Sequence, residues 1–423
     1  MSNSPFASIE SAIKDYQAGK MVVIVDDEDR ENEGDVCVAA EFITEAQITF
    51  MAIEARGLIC MTLAPERIDQ LNLPLQAPNN KAGFETAFTV SIEAAEGITT
   101  GISAADRAHT IRIAAKPDAK PSDLDRPGHV FPLRAKHHGV LQRTGQTEGS
   151  VDMAKLAGLE PASVICEVMN DDGTMARVPD LIEFCAKHDM KMISIKDMIE
   201  YRRLTEIHVD RTSVAALPTI HGEFEAYGYK GQVDGLEHLA LVKGDVKGAH
   251  GVLVRVHSSC TTGDVFGSLR CDCGEQLRQA LADIELAGQG VLVYLAQEGR
   301  GIGLSEKLRA YELQQNGHDT VDANLELGHE ADSREFHAAA HILRDLGVGS
   351  VRLMTNNPRK VEELRLAGVE VSERVQHETE PNSANTSYLR TKRDRLGHTL
   401  AHAALGGAAT GSDARIEEPT LVR

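Results

Sequence analysis

Gly251-Val-Leu-Val-Arg-Val256 has the length and the β-branched content of a buried strand, and the pattern on either side of it decides the architecture. Leu239-Ala-Leu-Val242 precedes it in the same style, and Val291 to Leu295 and Ser350 to Thr355 repeat it downstream. Gln276 to Ala287, Ser305 to Gln315, Arg334 to Leu346 and Arg359 to Leu366 space their apolar residues at helical intervals. Strands alternating with helices predict a mixed α/β unit. Upstream, Met21-Val-Val-Ile-Val25 reads as another buried strand, with helices expected over Ile9 to Ala18, Asp180 to His188 and Ile195 to Arg203. Leu73 to Gly83 and Lys116 to Pro132, rich in Pro, Gly and Asn, read as loops. Leu204 to Thr219 loses its periodicity and reads as a seam. The chain is therefore expected to hold two α/β (α+β) domains, residues 1–204 and 205–423. A disordered tail is expected after about residue 400, where Ala, Gly, Ser and Thr dominate.

A length of 423 residues accommodates two such domains, each able to bury a core. The formal net charge of −20, with no Lys/Arg block to offset it, sets nucleic acid aside as a partner, and aromatics at 4% leave little for base stacking. A single nucleotide remains compatible, because a few cations and backbone amides suffice to hold one. No apolar run approaches a membrane span, and Met1 to Ala18 lacks the apolar core of a secretion signal. A cytoplasmic protein with no membrane partner is expected. Seven cysteines, an odd number, argue against a disulfide framework. Cys37, Cys60, Cys166 and Cys185 sit singly in apolar surroundings and read as small buried hydrophobes.

The remaining three cysteines are clustered in Arg255-Val-His-Ser-Ser-Cys260 and Leu269-Arg-Cys-Asp-Cys-Gly-Glu-Gln276. Three thiolates around a zinc ion leave one tetrahedral position open, as in a catalytic site that keeps this place for water. Three reduced cysteines in a core, or a structural zinc closed by His257 or a distant histidine, stand as alternatives on the pattern alone. Glu298-Gly-Arg-Gly-Ile-Gly303 and Thr355-Asn-Asn-Pro-Arg-Lys360 each lie between a strand and a helix, where amides and cations could hold phosphate oxygens.

These segments, together with Asp319-Thr-Val-Asp-Ala-Asn324 and Ala331-Asp-Ser-Arg334, resemble GTP cyclohydrolase II in order and spacing from Gly231 to about Leu400. The resemblance implies zinc on Cys260, Cys271 and Cys273, opening of the imidazole ring of GTP with loss of formate, and expulsion of pyrophosphate. It implies Arg334 as the nucleophile at the α-phosphate, Asp332 as general acid/base and Tyr311 as a further catalytic residue. Arg255, Val256, His257, Ser258, Ser259, Gln276, Glu298, Gly299, Arg300, Thr320, Thr355 and Lys360 would hold GTP. Guanidinium ordinarily stays protonated, so phosphate clamping is the physically simpler role for Arg334. Ser259 stands where the family often carries Glu, which predicts altered affinity and not lost chemistry.

In the first half, Asp26-Asp-Glu-Asp-Arg-Glu-Asn-Glu-Gly-Asp35 follows directly on the strand Met21 to Val25. A charge run is ordinarily a solvated face. This one lies at the carboxyl end of a buried strand, where α/β folds place ligands, and embeds Arg30 among carboxylates suited to a hard cation. With Thr99 to Arg107, Arg126 to Leu133, Arg143 to Thr147 and Cys166 to Thr174, it resembles 3,4-dihydroxy-2-butanone 4-phosphate synthase over Ile9 to Arg203. The resemblance implies conversion of ribulose 5-phosphate to the butanone phosphate and formate, with magnesium or manganese. Glu31 would be a metal ligand, His129 and Glu167 the proton-transfer groups, and Arg30, Glu31, Asp35, Arg143, Thr144, Gly145, Gln146, Thr147 and Glu167 the sugar-phosphate contacts. Gln146 stands where the family commonly supplies a histidine ligand. Its amide oxygen suits magnesium, so a weakened but working site is expected. Glu85 replaces a residue that is often Gly.

The expected whole is a homodimeric, bifunctional enzyme of riboflavin synthesis acting on GTP and ribulose 5-phosphate. Two alternatives stand beside it: a chain in which only the cyclohydrolase half works, and a zinc-stabilised nucleotide-binding module without catalysis.

Overall fold

The structure, a computed structural model, describes residues 4–316 and 318–401; the tail expected to be disordered falls almost wholly outside them. The chain divides between Glu206 and Ile207 into two compact units, each built on its own seven-stranded sheet. No described helix is long and apolar enough to cross a membrane.

The first sheet comprises β1 (Val22–Val25), β2 (Gly34–Ala39), β3 (Cys60–Leu63), β4 (Ile92–Ala94), β5 (Leu124–Arg134), β6 (Ala162–Glu167) and β7 (Lys191–Ser194), in the order β4-β5-β3-β6-β2-β1-β7. Alternate residues of β1 and β2 face opposite sides. Val23, Val25, Val36 and Val38 join one buried core with Ala108 and Ile111 of the helix Ala104–Ala115. Val22, Ile24, Cys37 and Ala39 join the other, with Met153 and Ala154 of the helix Gln146–Leu156 and Ile9 and Ala12 of the helix Ile9–Gln17. A sheet covered on both faces explains why its strands read as continuous apolar runs.

The second sheet comprises β8 (Val209–Thr219), β9 (Gly222–Gly231), β10 (Glu237–Lys243), β11 (Val252–Ser258), β12 (Gly290–Leu295), β13 (Val351–Met354) and β14 (Val371–Val375), in the order β14-β13-β11-β12-β10-β9-β8. β11 pairs in parallel with both β12 and β13, so the three carboxyl ends share one edge. Ala280, Leu281 and Ile284 of the helix Cys273–Ala287 pack against Phe224, Leu241 and Leu292 on one face. That parallel core sets the loops after β11, β12 and β13 beside one another, and ligands in such folds bind at this edge.

Two segments differ from the sequence reading. The seam Leu204 to Thr219 contains β8, which pairs antiparallel with β9 over its whole length. β8 is the edge strand and is exposed along nearly its whole length, so no hydrophobic alternation marks it. The expected loop Lys116 to Pro132 contains most of β5. Here Glu93 pairs with Asp125 while the adjacent Ile92 pairs with Val130, so residues 126–129 bulge out of the ladder and accommodate Pro127 and Gly128.

Candidate functional sites

Cys260 follows β11 after Ser259, Cys271 lies just before the helix Cys273–Ala287, and Cys273 is its first residue. Their three sulfurs all lie within 4.8 Å of one another, and no fourth histidine or carboxylate joins the group among the described residues. Gly263 permits this approach, since a Cβ there would lie 3.0 Å from the Cys271 sulfur and 3.2 Å from that of Cys260. His257 is occupied elsewhere. Its Nε2 lies 3.1 Å from both oxygens of Asp264, and its ring stacks on Tyr294. Burial pushes the His257 imidazole down, so the ring is neutral near pH 7 and Nε2–H donates to the carboxylate. Asp264 also accepts the Cys260 N–H at 2.9 Å and the Tyr294 hydroxyl at 2.9 Å. A structural zinc closed by His257 therefore does not fit, whereas a three-thiolate set with an open position does.

The thiols line a cavity with Ser258, Ser259, Glu298, Gly299, Arg300, Tyr311, Thr320 and Arg334, which brings much of the expected GTP set together. Lys307 reaches into it, donating to the Cys260 sulfur at 3.1 Å and to Glu298 at 2.8 Å. Arg300 sits at φ +63°, a left-handed conformation that favours glycine, and its buried Nη2 has no hydrogen-bond partner. Strain of this kind persists where surrounding structure holds it and concentrates at functional sites.

An adjoining cavity collects the cations. Arg255 donates to the Met354 carbonyl and to Gln276, and Lys360 donates to the Val256 carbonyl at 2.7 Å. Thr355 lines the same space. Burial and the neighbouring Arg255 and Arg334 hold the Lys360 ammonium well below its ordinary range. Arg334 makes two hydrogen bonds to the Asp332 carboxylate, at 2.7 and 2.5 Å. Burial alone would push Asp332 up, but Arg334 holds it down at about 2, and Arg334 itself is raised, so both stay charged.

In the first unit the acidic stretch closes on Arg30. Its Nη1 donates to Asp26 at 2.7 Å, Glu31 at 2.9 Å and the Gln146 amide oxygen at 3.1 Å. Three side-chain oxygens converging on one cationic nitrogen form a donor set suited to a hard divalent ion. Asp35 on β2 pairs directly with Glu167 on β6. Burial, and for Asp35 also Glu167 and Glu31, push both carboxyls up. Arg143 turns to Glu148, Gly145 and Thr147 are buried where the helix Gln146–Leu156 begins, and Thr144 is exposed. His129 hydrogen-bonds Glu93 and not the acidic cluster.

Sequence reasoning missed Asp264, Lys307, Glu93 and the cation Lys392 in the second cavity. Asp264 stands one helical turn after Cys260, a spacing that offered a signal; the others come from distant segments and had none.

Family models match both units. That of 3,4-dihydroxy-2-butanone 4-phosphate synthase covers residues 10–201, and that of GTP cyclohydrolase II covers residues 210–376. The riboflavin biosynthesis protein RibBA of Aquifex aeolicus is 56% identical over 396 residues, spanning 93% of this chain and 98% of the relative. The protein of the same name from Synechocystis sp. is 54% identical over 93% of this chain and 72% of its own length. Among solved structures, RibBX, a two-domain 3,4-dihydroxy-2-butanone 4-phosphate synthase from A. baumannii, aligns with a TM-score of 0.59 at 42% identity, covering 82% of this chain and 94% of that one. With both units matched in order and relatives alike over 93% of the chain, the chain belongs to the bifunctional riboflavin biosynthesis family that joins a 3,4-dihydroxy-2-butanone 4-phosphate synthase domain to a GTP cyclohydrolase II domain.

Proposed function

We propose that the first unit converts ribulose 5-phosphate to 3,4-dihydroxy-2-butanone 4-phosphate and formate, and that the second hydrolyses GTP to formate, pyrophosphate and the diaminopyrimidinone ribosyl phosphate. The observation that carries the second half is the three-sulfur cluster, with no fourth histidine or carboxylate ligand among the described residues, opening into a cavity that adjoins a surplus of cations. Zinc on Cys260, Cys271 and Cys273 would supply a Lewis acid and an activated water for hydrolysis at the guanine ring. Around it, Asp264 fixes the Cys260 backbone, and Arg255, Lys360 and Arg334 bind the phosphate chain. Arg334, held charged by its two hydrogen bonds to Asp332, clamps the α-phosphate. Tyr311 and Thr262 share a hydrogen bond beside the sulfurs, which sets the phenol to orient the base.

In the first unit, Glu31 and the Gln146 amide oxygen would hold magnesium or manganese, displacing Arg30 toward the sugar phosphate. Burial raises the Glu167 and Asp35 carboxyls, which favours their exchanging protons with the substrate. His129 supplies the further proton-transfer group. The chain acts in the cytoplasm as a homodimer, a state that sedimentation measures directly.

The test is formate release from each substrate separately. Wild type should turn over ribulose 5-phosphate with magnesium, Glu31→Ala should abolish this, and Gln146→His should retain it. GTP hydrolysis should persist in both variants and vanish in Cys271→Ala. Absence of ribulose 5-phosphate turnover in wild type, with recovery in Gln146→His, would overturn the reading of Gln146 as an adequate ligand.

A further inference from the structure

The helix Thr386–Leu396 lies beyond residue 376, where the match to the cyclohydrolase family model ends. It nevertheless faces both cavities. Tyr388 lines the sulfur cavity and the cation cavity alike, and Lys392 and His398 line the latter. Two cations lie against the Tyr388 ring, with the Arg300 guanidinium carbon 5.8 Å from its centroid and the Lys392 ammonium 4.7 Å away. A backbone bond from Thr399 N–H to the Asn356 carbonyl, 2.9 Å, ties the end of this segment to the loop after β13.

Lys392 is buried, and one of its three N–H donors goes to Asp272 at 2.5 Å. Asp272 sits between Cys271 and Cys273 and accepts Gln276, which in turn accepts Arg255. The same cavity holds the Arg255 Nε, buried with no hydrogen-bond partner, and Lys360, whose ammonium has one carbonyl for three donors. Three buried cations (Arg255, Lys360 and Lys392) and the partly buried Arg334 thus share two carboxylates, Asp272 and Asp332. Buried cations without matching acceptors are costly unless a ligand completes them, and the ligand they call for is polyanionic.

We infer that Lys392 is a phosphate-binding residue of the nucleotide site, completing with Lys360 a cradle for the triphosphate, and that Tyr388 positions it together with Arg300. This rests on GTP being the substrate of the second unit. It assigns a substrate-binding role to a helix outside the matched catalytic segment.

The experiment uses the full-length zinc-loaded enzyme and compares wild type with Lys392→Met, Tyr388→Phe and Tyr388→Leu. The readouts are KM and kcat for GTP, inhibition by inorganic pyrophosphate, inhibition by guanosine (which lacks phosphates), zinc content, and formate release from ribulose 5-phosphate as a check on the intact chain. Lys392→Met should raise the GTP KM and the pyrophosphate inhibition constant at least tenfold, leaving guanosine inhibition and zinc content unchanged. Tyr388→Phe should match wild type, and Tyr388→Leu should reproduce the phosphate-end defect. Because Lys392→Met leaves Asp272 buried and unpaired, the double variant Lys392→Met/Asp272→Asn removes both charges and should show the same pyrophosphate defect. Pyrophosphate inhibition within twofold of wild type in both variants would overturn the inference, as would parallel loss of guanosine binding or zinc. If wild type failed to hydrolyse GTP, the proposed function would fall instead, and pyrophosphate binding by calorimetry would still judge Lys392.

Discussion

Replacing Asp264 with alanine should be among the most damaging single changes in the second unit, although Asp264 is not expected to touch zinc or nucleotide. Its buried carboxylate accepts from the Cys260 N–H at 2.9 Å, the Tyr294 hydroxyl at 2.9 Å and His257 Nε2 at 3.1 Å. Hydrogen bonds to a charged acceptor contribute about 1.5–3 kcal/mol each, and a buried donor left without a partner costs about 1–3 kcal/mol. The three share one acceptor and do not add, so the expected loss is that of breaking a buried charged network, about 3–5 kcal/mol. The damage should extend to metal retention, because the freed Cys260 backbone no longer fixes its sulfur. Loss of such supporting contacts typically weakens metal affinity about 10–100-fold. Denaturant unfolding of the second unit gives the first quantity, and competition with a chromogenic chelator gives the second. Asp264→Asn, which keeps the shape and one acceptor, should fall between. A loss below about 1 kcal/mol with unchanged zinc competition would refute the argument, since it would mean the network carries no net free energy.

Three other outcomes are expected. Asp332, held at about 2 against an ordinary 3.8, has a depressed carboxyl, so its contribution is present above pH 4 and is lost as pH falls from 4 through 2. The shift corresponds to roughly 2 kcal/mol, and acid titration of the unfolding free energy should show this component in wild type and not in Asp332→Asn. At Gly57 a Cβ would lie 2.4 Å from the Glu167 carbonyl oxygen and 2.6 Å from its Oε2, so Gly57→Ala must displace Glu167. Synthase turnover should fall on the order of a hundredfold while GTP hydrolysis in the same preparation is unchanged, since misplacement of this size routinely costs that much. Chelator treatment should abolish GTP hydrolysis, spare the synthase when magnesium is restored, and expose three further thiols per chain to a colorimetric reagent.

What the sequence disclosed, and what it hid, follows from the range over which each signal acts. The strands β1, β11 and β12 were legible because both faces of the sheet are buried and nearly every position is apolar. The cysteine trio was legible because its three members come from two short segments. The exposed edge strand β8 carries no burial signal, and β5 hides behind its bulge at residues 126–129. Glu85, whose replacement of a frequent glycine had no account in sequence terms, sits at φ +56° on an exposed turn. Glycine adopts this conformation freely, while other residues take on strain of about 1–2 kcal/mol. The Lys392–Asp272 pair joins residues 120 positions apart and could be seen only in the folded chain.

The distribution of sulfur between the two units has a consequence for how the protein ages. Cys37, Cys60 and Cys166 are sealed in the first sheet, where burial pushes their thiols far above the range in which thiolate forms, and Cys185 is raised to about 11. Such thiols react slowly with peroxide. The three sulfurs of the second unit line an open cavity instead, and once oxidised beyond sulfenic acid they do not recover. Under oxidative stress one polypeptide would then lose its GTP-consuming half while its sugar-phosphate half survived. Two activities synthesised in strict equality would drift apart with the age of the molecule, and the ratio of the two rates would record the oxidant exposure of the preparation.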